Sequence, residues 1–280
     1  MEPFVIALIL LSALLHSGWN ALVKQKGDPL VMLASVAGSA TLLSLPAVLF
    51  LPFPSAGVWS YLLVSMALHT MYNLFLYAGY RHGDLGQVYP IARGVAPLIV
   101  AGAAPFVAGE TLTTTALTGV LLIAGGVASL AFSGAATLHD NPRPVLYALG
   151  AALFIAAYTT TDGLGVRLAE SPHSYIFWLF VLDGFPISII TLGLRGRDAL
   201  DWIQNHWVRG TAGGAMSVVG YWMIVWALSI GDLAPVAALR EVGVIFAAVL
   251  ASVVLKERFG PRRTVAACIV AAGAVLLRHS

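Results

Sequence analysis

The chain reads as long apolar runs interrupted by short polar or Gly- and Pro-containing segments. A helix needs about 20 consecutive apolar residues to cross the hydrocarbon core of a bilayer, and ten runs approach or reach that length: 4–23, 30–50, 59–80, 85–107, 113–133, 144–165, 174–194, 210–230, 233–255 and 264–277. The last is short for a span unless it begins near Gly260. The first carries His16, Trp19 and Asn20, so it reads as a working helix and not as a cleaved leader. The pattern predicts an all-α membrane protein whose long elements are transmembrane helices.

The runs repeat. Arg93 and Arg240 lie 147 positions apart, each inside an apolar run, and Glu110 and Glu257 follow them at the same spacing. Gly83-Asp84-Leu85 precedes the first arginine and Gly231-Asp232-Leu233 the second, while Gly125-Gly126 in the fifth run corresponds to Ala272-Gly273 in the tenth. This is an internal duplication, with units at 1–136 and 143–280 and a polar linker at 137–142. Five spans per unit is an odd number, so the second unit must enter the membrane from the opposite side. Ten helices as two inverted five-helix repeats is a transporter arrangement, with the binding site at the repeat interface.

Composition narrows the class further. The chain is 59% apolar and 10% charged, against about 25% charged for soluble domains, and its mean hydropathy is +0.87. Eleven Lys and Arg residues fall in loops after odd-numbered spans and only Arg167 and Arg278 on the other side, which places the former side in the cytoplasm of a multi-pass inner-membrane protein. A net charge of +2 with scattered basic residues argues against nucleic acid as a partner. Cys268 reads as packing. No phosphate loop, nucleophile elbow or metal-ligand spacing is present, so no cofactor, metal or catalytic residue is expected and ATP-driven transport is set aside.

Within the spans the charged residues are Arg93, Asp162, Asp183, Arg240 and Glu241. An ionisable group in hydrocarbon is costly unless it is paired or faces water, so these five mark candidate function. Arg93 and Arg240 would hold an anionic group through bidentate, charge-assisted bonds; the alternative pairs them structurally with Asp162, Asp183 or Glu241. His16, Asn20 and Lys24 share one face of the first span with Trp19 beside them, and Tyr158 and Asp162 share a face of the sixth. Asn20 aligns with Asp162 across the repeats. His69, Tyr72 and Asn73 in the third span and Tyr221 in the eighth suit the wall of a small-molecule cavity, with Tyr89 one turn before Arg93. His16 reads equally as a hydrogen-bonded core histidine, and Asn20 as an interhelical bond. Pro90, Pro97 and Pro235 are placed to interrupt helices four and nine. Asp162, Asp183 and Glu241 are the candidates for proton coupling.

The opening Leu14-Leu15-His16-Ser17-Gly18-Trp19-Asn20-Ala21-Leu22-Val23-Lys24, the ten spans, the five-plus-five duplication and the Glu110 and Glu257 loops together resemble the drug/metabolite transporter superfamily, in particular proteins with two EamA domains. The first helix is also similar to membrane proteins associated with phosphonate utilisation. The resemblance implies a central cavity between repeats and alternating access, and leaves open whether the protein is a monomer or a homodimer. The intramembrane arginines favour a small anionic or zwitterionic solute, amino-acid-like or organophosphonate-like. Competing readings are a flippase for a lipid-linked substrate, which needs a lateral opening, and an intramembrane enzyme using His16 or His69. Glu110 stands among threonines whereas Glu257 lies between Lys256 and Arg258, so the two loops differ in role.

Overall fold

A computed structural model of the chain describes residues 1–23, 28–83, 85–133, 141–246 and 261–279. Among the described residues all regular structure is helical: α1 (Pro3–Val23), α2 (Pro29–Val48), α3 (Ala56–His82), α4 (Leu85–Val107), α5 (Thr114–Ser129), α6 (Arg143–Leu168), α7 (Pro172–Arg195), α8 (Arg197–Asn205), α9 (Trp207–Ile230), α10 (Leu233–Arg240) and α11 (Pro261–Arg278). Seven of these, α1 to α4, α6, α7 and α9, are long and apolar enough to cross a membrane, and α5 is a shorter apolar helix. Large apolar side chains such as Leu49, Phe50, Phe106, Leu146 and Ile189 are exposed. A soluble surface would not carry so many, whereas lipid solvates them.

Local chemistry sets the helix starts. Asp28 accepts from Leu30 N at 2.9 Å with Pro29 at the first helical position, and Thr113 accepts from Ala116 N at 3.1 Å. Each satisfies an otherwise orphan donor. The expected loop before the eighth span contains an extra helix, α8, entered through Gly196 at φ +56°. Its sequence Arg-Asp-Ala-Leu-Asp-Trp-Ile-Gln-Asn buries Ala199 and exposes Asp198 and Asp201, an amphipathic pattern too short to be read as a span. Cys268 does not pack inside; it is exposed on α11. Asp84, Lys24, Glu257 and the end of the ninth span lie outside the described residues.

The helices pair across the two halves: α3 on α6, α1 on α9, α2 on α7 and α9, and α5 on α11. Two polar ties add to this packing. Glu110, in the α4–α5 turn, accepts from Arg167 Nη2 and from Leu233 N, both at 2.8 Å. Arg167 also donates to Leu228 O at 3.0 Å and Gly231 O at 2.7 Å, so the α4–α5 turn, the end of α6 and the α9–α10 turn are joined. At the other end of the bundle Arg195, closing α7, reaches Asp28 at 2.6 Å and Tyr77 OH at 3.1 Å.

Candidate functional site

The site begins at a break in a helix. α10 stops at Arg240, a turn occupies Glu241 and Val242, and helix resumes at 243–246. The amide bonds here span three residues: Glu241 N to Ala238 O, Val242 N to Leu239 O and Val244 N to Glu241 O. Such tightening inside a long apolar segment marks strain or a hinge. Gly243 follows, where a side chain would lie 2.9 Å from Ala13 O. Its own carbonyl is met by Ser17 Oγ at 2.5 Å, so the break leaves that polar group satisfied. The prolines are not the cause. α4 stays helical through Pro90, Pro97 and Pro105, and Pro235 sits in the first turn of α10, where no ladder bond is lost.

Arg93 and Arg240 are both buried, at 1% and 4% exposure, but their surroundings differ. Arg93 Nε lies 2.7 Å from Glu241 Oε2, the carboxylate 2% exposed. The N–H directions miss the oxygen and Nη1 has no partner, so this is charge pairing more than an aligned hydrogen bond. Tyr89 places its ring 5.8 Å from the Arg93 guanidinium. Among the described residues no acidic group pairs with Arg240, whose guanidinium instead sits 5.0 Å from the Tyr221 ring and 5.9 Å from the Tyr158 ring. Those contacts partly offset the cost of burying it.

Arg240 lines a cavity of about 80 Å³ between the two halves. Its other polar walls are His16, Trp19, His69, Tyr72, Asn73, Tyr158, Asp183, Ser217 and Tyr221. His69 stacks on Tyr158 with centroids 3.9 Å apart and meets Tyr221 edge-on at 5.5 Å. Tyr221 donates to Asp162 Oδ2 at 2.5 Å and Tyr175 to Oδ1 at 2.9 Å. Asp162 is fully buried and off the cavity, so it fixes the Tyr221 ring over which Arg240 lies. Trp19 Nε1 donates to His16 Nδ1 at 3.1 Å. An indole only donates, so the neutral imidazole carries its proton on Nε2, which is buried without a partner.

Of the residues singled out from the sequence, His16, Trp19, His69, Tyr72, Tyr158, Asp183, Tyr221 and Arg240 come together at this cavity. Arg93, Asn20, Tyr89, Asp162 and Glu241 do not line it. Asn20 bonds within its own helix, to His16 O at 2.8 Å. Sequence reasoning missed the contribution of α2, through Leu33 and Val36, and those of Phe180 and Gly184 beside Asp183 on α7 and of Met216 and Ser217 on α9. These walls are mostly apolar or small and carry no charge that would distinguish them from lipid-facing positions. A second void of about 10 Å³ lies beside Arg240 and Glu241, bounded by Thr159 and Pro97.

No curated protein matches the chain. Its fold is that of a solved structure described only as a "Crystal structure of protein", with a TM-score of 0.78 and 14% identity over 99% of this chain and 96% of that one. The family model of EamA-like transporters matches residues 142–278, from the approach to α6 through the end of α11, so the second half of the chain is similar to that family.

Proposed function

We propose that the protein is a secondary transporter in the inner membrane that moves a small anionic or zwitterionic metabolite, amino-acid-like or organophosphonate-like, by alternating access through the central cavity. The observation that carries this reading is Arg240: a buried guanidinium at a helix break, on the wall of a polar cavity, with no acidic partner among the described residues. Its charge needs a counter-ion, and the cavity provides room for one to be a solute. The EamA match of the second half supports transport as the class of activity.

The proposed architecture is ten spans in two inverted repeats, 1–136 and 143–280. It is supported by the way packing partners exchange when the halves are swapped: α3 on α6 answers α9 on α1, while α2 on α7 and α5 on α11 map onto themselves. The cavity is lined from the middle stretches of α3, α6, α7 and α9, the depth at which an inverted-repeat transporter would hold its solute. Both ends of the bundle carry polar ties, Glu110 with Arg167 at one and Asp28 with Arg195 at the other.

Counterflow in proteoliposomes tests the reading. Arg240→Gln should reduce uptake of an anionic or zwitterionic solute at least about tenfold, the loss expected when a charge-assisted bond is removed, and Arg240→Lys should retain part of it. Full activity in Arg240→Gln would overturn the proposal.

A further inference from the structure

We propose that Asp183 is a cation-binding pole of this cavity and that the transported solute is a compact zwitterion, with an ammonium at one end and a carboxylate or phosphonate at the other. The inference rests on the reading of Arg240 as the anion-binding group and chooses between the two solute classes that reading allows.

Three carboxylates lie inside the apolar segments, and two are committed. Both oxygens of Asp162 are taken by tyrosine hydroxyls, and Glu241 is held against Arg93. Asp183 is different. It lines the cavity from the middle of α7, its Oδ1 is buried without a hydrogen-bond partner, and no basic residue pairs with it among the described residues. One void is therefore bounded by a guanidinium and a carboxylate that do not neutralise each other. A simple anion would satisfy Arg240 and add repulsion at Asp183; a simple cation would do the reverse. A solute bearing both charges compensates both walls at once.

The rest of the lining fits that assignment. Phe180 is one turn before Asp183 on α7 and meets the Tyr221 ring edge-on at 6.1 Å, so aromatic surface flanks the carboxylate. Aromatic faces tolerate an ammonium beside them better than they tolerate a second anion. Size sets an upper bound: a water needs about 10–15 Å³ of free space, and the cavity offers about 80 Å³. The space holds roughly five to eight water-sized groups, enough for a short amino acid or aminoalkylphosphonate and too little for a nucleotide.

A panel of size-matched probes decides the matter. Purified protein would be titrated, with melting temperature as readout, against β-alanine and 2-aminoethylphosphonate, their anion-only counterparts propionate and ethylphosphonate, and the cation-only propylamine. At least one zwitterion should bind about tenfold to a hundredfold more tightly than either single-ended analogue of its kind. The carboxylate and phosphonate arms identify the anionic end. Asp183→Asn, nearly isosteric, should erase that preference while leaving propionate binding intact or improved; its melting temperature without ligand reports folding, and the wild-type panel decides by itself if the variant does not fold. Equal binding within both pairs, propionate with β-alanine and ethylphosphonate with 2-aminoethylphosphonate, overturns the zwitterion assignment but leaves the Arg240 reading standing. No shift with any probe also overturns it, and transport unaffected by Arg240→Gln removes the reading on which it rests. If Asp183→Asn binds zwitterions normally but loses uptake driven by a pH gradient, Asp183 carries protons instead, and the assignment fails.

Discussion

Arg93 and Arg240 stand 147 positions apart in matching sequence contexts, yet only one is held by a carboxylate. The reason lies one residue further on. Glu241 follows Arg240, and the position 147 before it is Gly94, where a side chain would come within 2.9 Å of Ala124 O and Ala128 N. α4 packs too closely on α5 to hold a second glutamate, so the two arginines have one such carboxylate between them and only Arg93 is paired with it. Adjacent residues on a helix point in different directions, and Glu241 reaches across to Arg93 while Arg240 turns to the cavity. That buried arginines would mark the site was legible in the sequence; which one would be neutralised was not, because the pairing runs between distant segments. Removing one partner of a buried pair leaves an uncompensated charge and costs about 3–5 kcal/mol. Arg93→Gln and Glu241→Gln should each lower the melting temperature sharply, and the double variant should recover most of the loss. If the double variant is as unstable as the sum of the singles, the pair is not the source of the penalty.

At the scale of elements, the long helices follow from run length, but their joints do not. The turn at Glu241 and Val242 falls within a span-length run whose only charged residues are Arg240 and Glu241, and the hydroxyl of Ser17, contributed from α1, shows where the backbone is supported. The prolines, which suggested breaks, are absorbed within α4 and the first turn of α10. The role of Glu110 was likewise hidden, since its two side-chain attachments come from segments more than 50 residues away. Glu110→Ala would strip the Leu233 amide of its acceptor and Arg167 of its carboxylate. The pair is partly exposed, with Arg167 at 29%, so about 1–2 kcal/mol is expected. Hydrogen exchange at the Leu233 amide should quicken in that variant while exchange in mid-α2 stays unchanged; equal rates at Leu233 would mean the tie is not formed in solution. The other tie is sensitive to acid. Burial acts to raise the Asp28 carboxyl, but hydrogen bonds from Arg195 and Leu30 N and the Arg195 charge outweigh it and hold the group below its ordinary 3.8. A carboxyl depressed in the folded state contributes stability above its ordinary value and loses it as pH falls through the lower folded one. The melting-temperature advantage of wild type over Asp28→Asn should therefore be present at neutral pH and vanish on acidification below the usual aspartate range.

For the whole molecule, the proposed twofold relation makes a quantitative demand on packing. An axis relating the halves must make contacts reciprocal, and the α5–α11 crossing meets that condition. A side chain added at Gly126 would face Val270 at 2.7 Å and Ala266 O at 3.2 Å. Subtracting 147 from those positions gives 123 and 119, and adding 147 to 126 gives 273. A side chain added at Gly273 would indeed face Ile123 at 2.7 Å and Gly119 O at 2.8 Å. The sequence alignment alone had paired Gly125-Gly126 with Ala272-Gly273, but it could not tell which member faces the partner helix; Gly125 meets nothing within 4 Å. Small residues at such a crossing let two backbones approach in lipid, where packing and not water drives association. Gly126→Ala and Gly273→Ala should therefore each destabilise the fold by about 1–3 kcal/mol, the usual cost of overpacking, and by similar amounts, whereas Gly125→Ala should be nearly neutral. Thermal unfolding of the three variants in one detergent measures all of this at once. A large loss at one of the two facing glycines with none at the other would be incompatible with a reciprocal crossing, and the case for inverted repeats would then have to stand on helix pairing alone.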